Sequence, residues 1–273
     1  MHSLRHQTPR IITIGLLIAF AIFMLSWEIG ACGASAFNGD ECSELGGGAY
    51  LYSSPSRIYF RISTGDIDLK PIVDKGIITF SRSLFALILT SVGAITWVVF
   101  ATRSKWIKLL GFGLVLLLQV IPFVSFIWLV DELLGSHAKV AFGVIVAIFP
   151  LFGALYLALD RVSRSHLELF ELASANFGDR LKYLYYPFLI PAFFSGLTLA
   201  APLAVVGVII ADLAGGDDTG LGSGMLMFSR QSDPGVLWIY TMVAIVISCL
   251  LWGGVEIFKL LFRKVSPWYD GSI

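Results

Sequence analysis

Charged residues are scarce in this chain. Only 14% of its 273 residues are Asp, Glu, Lys or Arg, divided into 19 acidic and 19 basic. A soluble domain carries about 25%, so the composition excludes an ordinary water-facing surface. Cysteine is nearly missing as well, with 3 residues, and there are 4 histidines. His2, His6 and His166 lie in segments read as cytoplasmic and His137 stands alone in a short outer loop, so no His, Cys and carboxylate spacing suggests a metal site and none is expected. The glycine-rich stretch Gly215 to Gly224 lacks the Lys-Ser/Thr ending of a phosphate loop, and Asp217 and Asp218 would repel phosphate. It reads as a flexible outer turn. No ATP site and no catalytic constellation is visible, so the chain is not expected to be an enzyme or to hold a cofactor of its own. The net charge of zero gives no reason to expect a nucleic-acid partner.

What fills the chain instead is apolar sequence: 57% of residues are hydrophobic and the mean hydropathy is +0.83. Runs at 11–30, 79–101, 107–130, 139–159, 189–213 and 236–262 each approach or exceed the ~20 residues that cross a ~30 Å hydrocarbon core as a helix. Backbone amides in lipid must be satisfied within the chain, and such runs suit helices far better than the ~10-residue alternating strands of a barrel. The expectation is an all-α, polytopic membrane protein of about six spans. Placing the N-terminus in the cytoplasm puts Arg5, Arg10, Arg103, Lys105, Lys108, Arg161, Arg164, Arg180, Lys182, Lys259, Arg263 and Lys264 inside, twelve of the nineteen basic residues. Both termini are then cytoplasmic. The first run ends in Ile29-Gly30-Ala31-Cys32, loosely like a cleavage site, but its length and the interruption at Glu28 favour a retained span. Residues 1–78 then form an N-terminal span with an extracytoplasmic loop, and 79–273 a core of five spans.

Cys32 and Cys42 fall in that outer loop with nine residues between them, and they form either a disulfide or two free thiols. Cys249 lies within the sixth run and reads as a packing residue. After Ser53-Ser54-Pro55-Ser56 a helix along the outer membrane face is expected.

The most informative segment is 165–191, SHLELFELASANFGDRLKYLYYPFLIP, a polar island between spans. Ser165 and Glu168 have capping-box spacing, which predicts a helix from 166; Gly178 supplies a stop and Asp179 a cap for a second short helix. Leu167, Phe170, Ser174 and Phe177 share one face, while Glu168, Glu171 and Ala175 lie to the side. Helices that rest on a membrane surface are usually rich in Lys or Arg on the polar face, and this one carries Glu instead. Docking into a groove of another protein fits better, with Phe170 and Phe177 as anchors.

Ala173-Ser174, Gly178 and Phe188-Leu189-Ile190-Pro191 resemble the EAA motif of ABC importer permeases: Glu-Ala-Ala, three residues, Gly, nine residues, Ile-x-Leu-Pro. The Gly-to-Pro spacing matches without a gap, whereas Leu172 occupies the motif's Glu position, with Glu171 one residue earlier. Gln119-Val120-Ile121-Pro122-Phe123, Ala211-Asp212-Leu213, Gly220-Leu221-Gly222 and the basic tail Arg263 to Trp268 extend the resemblance from about residue 79 to the C-terminus. It is nearest to permeases for nitrate, taurine, aliphatic sulfonates and thiamine-pyrimidine precursors.

The resemblance implies a type I importer permease of the cytoplasmic (inner) membrane. It implies a second permease subunit, identical or different, two cytoplasmic ATPase subunits that bind ATP and Mg, and an extracytoplasmic substrate-binding protein. Residues 165–178 would form the coupling helix, with Glu168, Phe170, Glu171, Ala173, Ser174, Phe177, Gly178 and Asp179 at the ATPase. Gln119, Pro122, Ser125, Ser195, Thr198, Asp212, Gly220 and Gly222 are candidates for the translocation path. For the polar ones among them, a helix-to-helix hydrogen bond is an equally good reading, since polar groups in a bilayer seek partners. The competing readings are a permease of another type I importer subfamily (phosphate, phosphonate or glycine betaine) and, less favoured, a secondary transporter, a membrane-embedded enzyme or a noncatalytic membrane scaffold.

Overall fold

The computed structural model describes residues 22, 24–26 and 55–265, except 121–122, 216–218 and 231–232. Most of the first apolar run, together with Cys32, Cys42 and Pro122, lies outside the described residues. Among them there is helix and no strand. The helices are α1 (Pro55–Ser63), α2 (Lys70–Ala101), α3 (Lys105–Val120), α4 (Phe123–Leu134), α5 (Ala138–Asp160), α6 (Arg164–Leu172), α7 (Tyr186–Ala214), α8 (Leu221–Arg230) and α9 (Pro234–Val265).

Four helical stretches in the described part are long and apolar enough to cross a membrane: Lys70–Ala101, Ser125–Asp160, Phe177–Ala214 and Gly235–Lys264. Within the run at 107–130 the described residues are helical, in α3 up to Val120 and in α4 from Phe123. Dozens of large apolar side chains face outward, among them Val92, Leu110, Leu117, Leu199, Ile245 and Trp252. In water such a surface would be an aggregation hazard; for a chain solvated by lipid it is the expected exterior. Cys249 belongs to that exterior and is exposed, contrary to its reading as a packing residue.

The chain divides into two compact units, one of residues 1–71 with 227–241 and one of 72–226 with 242–273. In the first, Arg61 at the end of α1 donates to both carboxylate oxygens of Asp233 (2.9 and 3.0 Å) and to Asp66 (2.9 Å). Asp233 in turn accepts from the amides of Gly235 and Val236, capping the start of α9.

In the second unit the core is made of small residues. Ala200, Ala204, Val205 and Val208 of α7 are fully buried, as is Ala147 of α5. A Cβ added to Gly207 would come within 2.7 Å of the Phe142 carbonyl oxygen, and one on Gly143 within 3.0 Å of Val208. Glycine at these two positions lets the backbones of α5 and α7 approach closely, which is how spans associate where no hydrophobic effect drives them together. The buried stripe of α2, Thr79, Ser83, Ala86, Thr90, Ala94 and Val98, repeats at three- and four-residue steps and is also small. The hydroxyls of Ser83 and Thr90 return to carbonyls one turn back, at 2.7 and 2.8 Å, so they enter the core without an unpaired donor.

Candidate functional site

The polar island between α5 and α7 folds as a helix with two well-defined ends. Its N-cap is Ser163, whose Oγ lies 2.8 Å from His166 Nδ1 and accepts from the His166 amide at 3.4 Å. The helix therefore begins at Arg164, and the Ser165–Glu168 capping box expected from spacing is not the one used. Ser163 precedes Ser165 by half a turn, so the extended backbone that a cap requires falls there first (φ −70°, ψ 154°).

The helix ends at Leu172, well before Gly178. The Ser174 amide donates to Glu171 O and the Ala175 amide to Phe170 O, both at 3.0 Å, which is the paired closure of a Schellman motif. Its left-handed position is Ser174, at φ 49°, a place glycine usually takes. Gly178 instead sits in the next single turn, Phe177–Asp179, and that turn is capped by Asn176, whose Oδ1 accepts from the Asp179 amide at 2.9 Å. Neither Gly178 as stop nor Asp179 as cap is found, and the helix spans 164–172 rather than 165–178. The chain then runs through a π-helical stretch, Arg180–Tyr185, into α7. Pro187 has no amide for Tyr183, and the Tyr186 amide bonds back to Leu181, five residues earlier.

The outward face also differs from the expected one. Phe170 and Phe177 are half-buried, and the guanidinium of Arg103 lies 4.0 Å above the Phe177 ring. The apolar residues that project are Leu169, 62% exposed, and Leu172, 84% exposed, three residues apart and flanked by the exposed Glu168 and Glu171. Ala173, Ser174 and Gly178 are exposed beside them, while Asp179 is half-buried. Arg180 ties the loop together: its Nε donates to Ala175 O at 3.2 Å, and its guanidinium lies 3.6 Å from Glu171.

A second polar centre lies at the other end of the unit. Asp212, in the last turn of α7 and 1% exposed, accepts from Arg82 Nη1 of α2 at 3.1 Å and from the Gly222 amide of α8. Thr79 Oγ1 stands 3.5 Å from the same carboxylate and accepts from the Leu221 amide at 3.0 Å, while the other arm of Arg82 donates to Thr219 at 3.0 Å. Lys139, fully buried, adds positive charge nearby. Gly220 and Gly222 are buried against this cluster, and a Cβ on Gly220 would overlap the Asp212 carboxylate. Residues 220–224 of that stretch form a packed cradle leading into α8.

The remaining path candidates do not converge on Asp212. Thr198 donates to Glu256 Oε1 at 2.8 Å, and Lys259 holds both oxygens of the same carboxylate at 3.2 Å. Ser195 is exposed and bonds to Pro191 O at 2.9 Å. Ser125 is exposed on α4, Gln119 lies near the end of α3, and Pro122 lies outside the described residues. No group of three metal-binding side chains occurs among the described residues. Arg82 and Glu256 were missed by sequence reasoning, although each left a signal: Arg82 is the sole charge in the 79–101 run, and Glu256 with Lys259 forms an i,i+3 pair inside the last run.

Comparison with known proteins adds three findings. Residues 90–267 match the family described as binding-protein-dependent transport system inner membrane component. The chain is 30% identical over 135 residues to the formylaminopyrimidine transport permease protein ThiX of Halalkalibacterium halodurans, covering 48% of this chain and 51% of that protein. It is 24% identical over 122 residues to a probable ABC transporter permease protein of Haemophilus influenzae, covering 45% and 49%. The chain thus spans about half the length of the curated relatives it matches.

Proposed function

This chain belongs to the binding-protein-dependent transport-system inner-membrane components, and from that premise we propose that it is the permease subunit of an ATP-driven importer, coupled to its ATPase through α6. One observation carries the coupling assignment. Between two long apolar helices the chain builds a short helix, closes it at both ends with side-chain and backbone hydrogen bonds, and leaves Leu169 and Leu172 projecting beside Glu168 and Glu171. Two exposed leucines framed by acids suit a groove with an apolar floor and a basic rim. Leucine at the motif's Glu position is then an apolar anchor in place of a charged contact.

Movement of that groove would reach the spans through stiff joints. The Ser163 cap follows α5 directly, and the Schellman closure, the Asn176 cap and Arg180 leave little slack before α7. Closure of two ATPase subunits on ATP and Mg would tilt α5 and α7 together and alternate the path between the two sides of the membrane. The assembly has a second permease subunit and an extracytoplasmic binding protein, and both termini of this chain lie in the cytoplasm. For the path itself we retain Gln119, Pro122, Ser125 and Ser195. Asp212 and Thr198 are engaged by Arg82 and Glu256 and act within the protein rather than on the solute. The solute class best supported is a small pyrimidine precursor, because the relative at 30% identity is named for formylaminopyrimidine transport; nitrate and sulfonates such as taurine are the competing solutes.

The test is co-purification of the ATPase with the full chain. Leu169→Glu with Leu172→Glu is expected to abolish it at unchanged membrane yield, and ATPase binding that survives the double change defeats the docking assignment. Vesicles loaded with ATP, supplied with the binding protein and offered labelled formylaminopyrimidine, nitrate or taurine separate the solutes.

A further inference from the structure

The hairpin of α2 and α3 touches the chain on both sides of the docking helix α6. It is stiff in itself: Trp97 Nε1 of α2 donates to Ile107 O of α3 at 3.3 Å, and a Cβ added to Gly111 would overlap the Trp97 indole, so the two helices meet with no room between them. Ahead of α6 the hairpin is held to the end of α5. Trp97 stacks on Phe152 with ring centroids 4.7 Å apart, and Phe112 stacks on Tyr156 at 4.1 Å. Lys108 Nζ donates to Asp160 at 2.9 Å and lies 4.9 Å from the Tyr156 ring centre. Behind α6, the guanidinium of Arg103, in the turn of the hairpin, stands 4.0 Å above the Phe177 ring. Asp160 precedes the Ser163 cap and Phe177 follows the Schellman closure at Ser174, so one hairpin grips α6 at its entrance and at its exit.

The two grips differ in kind. The one ahead of α6 is stacked rings and an ion pair on neighbouring helices, which is ordinary packing. The one behind it is a contact between two connecting segments: Arg103 is exposed, and an arginine at the end of a span is free to extend into water or headgroups. It is turned instead onto the face of a half-buried ring that belongs to the loop after α6. The other end of α2 gives this contact reach. Arg82, which pairs with Asp212, and Thr79 belong to the same unbroken helix as the turn. From Ala101 back to Arg82 is roughly 28 Å at ~1.5 Å per residue. A displacement of α6 is thus passed along a rigid helix to the polar centre at the far end of the unit.

We propose that Arg103 is a positioning residue for energy coupling: through Phe177, and with the grip on α5, it makes the α2–α3 hairpin move as one body with the docking helix, so that ATPase closure works α2 as a lever on the Arg82–Asp212 cluster. This rests on the reading of α6 as the ATPase contact and adds α2 and α3 to the helices that the closure moves. Arg103 itself does not touch the ATPase; it acts through the ring of Phe177.

The experiment uses the full chain with its partner subunits in vesicles and reads ATP hydrolysis with and without the binding protein, loaded with whichever of formylaminopyrimidine, nitrate or taurine the uptake assay selects. The quotient of the two rates measures coupling. Arg103→Ala, and Phe177→Leu, which keeps apolar bulk but loses the ring face, are each expected to lower the quotient about two- to fivefold, the size of one cation–π contact near a surface. Phe177→Trp, a better partner for a cation, should preserve it, and the double variant Arg103→Ala with Phe177→Leu should be no worse than either single one. A role in packing alone would not separate leucine from tryptophan in this way. Independently of any substitution at 103 or 177, nitroxide labels at Lys105→Cys and Ser165→Cys, both exposed, in a chain whose native cysteines are replaced by serine, should keep one narrow distance distribution in the nucleotide-free and the ATP-bound assembly. An unchanged quotient in Arg103→Ala, or a label distance that shifts between the two states, overturns the proposal and leaves α6 docking intact. Loss of the co-purifying ATPase in Arg103→Ala also overturns it, because Arg103 would then belong to the docking surface. ATPase that stays bound to Leu169→Glu with Leu172→Glu defeats the docking reading itself, and the proposal with it.

Discussion

Arg82 and Asp212 are 130 residues apart in sequence and joined at 3.1 Å inside the helical core, with the Asp212 side chain wholly buried and that of Arg82 19% exposed. The pair fastens the first half of α2 to the end of α7, and through Thr79, Thr219 and the Gly222 amide it also holds the start of α8. Removing one partner of a buried pair leaves the other charge uncompensated, at about 3–5 kcal/mol. Asp212→Ala and Arg82→Ala are each expected to lower thermal stability in detergent sharply. Arg82→Met combined with Asp212→Leu should cost less than either alone, and additive losses would mean that the two residues do not act as a pair.

Gly220 and Gly254 make a matched comparison. Alanine at 220 drives a methyl into the Asp212 carboxylate, while alanine at 254 meets open space. Gly220→Ala is expected to destabilise by about 1–3 kcal/mol through overpacking, and Gly254→Ala to be neutral or to gain up to ~1 kcal/mol from helix propensity. Unfolding midpoints of the two variants, read side by side, check this.

The ends of α6 are set by Ser163 and Ser174. Loss of the cap in Ser163→Ala should cost about 1 kcal/mol and speed amide exchange through 164–168, whereas Ser165→Ala should leave exchange unchanged. Ser174→Gly should slow exchange at 170–175, because glycine adopts the left-handed conformation without the ~1 kcal/mol penalty of a side chain.

Arg61 and Asp233 give the first unit a defined acid sensitivity. The hydrogen bonds from Arg61, opposed in part by burial, hold the Asp233 carboxylate below its ordinary range, and Arg61 is pushed further above its already high one. The native carboxylate thus binds protons more weakly than the unfolded one. Its contribution is complete above the ordinary value of about 3.9 and disappears as pH falls through the lowered native value. In Asp233→Asn the acid-induced loosening of this unit, followed by Trp238 fluorescence, should lose its steepest part; an unchanged profile would assign the acid step to another group.

Phe177 and Leu172 should part company on mutation. Phe177→Ala removes a ring held under Arg103 and is expected to lower stability by about 0.5–2 kcal/mol. Leu172→Ala, at a position 84% exposed, should stay within ±0.5 kcal/mol and register in ATPase binding instead. Equal stability losses would show that Leu172 is packed like Phe177.

Several elements were legible before any coordinates. The apolar runs marked the long helices, because a hydrocarbon solvent demands ~20 apolar residues and the demand is summed over the whole window. The polar island marked a helix outside the spans, and the Gly-to-Pro spacing from 178 to 191 carried the family. The caps were misplaced by two residues at Ser163 and by several at Ser174. Ser and Asn recur at 163, 165, 174 and 176, and spacing alone does not say which one adopts the extended or left-handed backbone. Phe170 and Phe177 were expected outside because aromatics anchor interfaces, but Arg103, from a distant turn, covers Phe177.

The amino-acid sequence settled the helical class, the membrane environment, the family and the existence of a polar helical segment between spans, since all of these follow from local composition and short-range spacing. Tertiary structure alone decided that Leu169 and Leu172 face outward, that Arg82 meets Asp212, and that Thr198 meets Glu256. The spans α5 and α7 are apolar on every side, so periodicity does not say which face turns inward. Close approach at Gly143 and Gly207 sets that rotation, and with it the inward placing of Thr198 and Asp212 on α7.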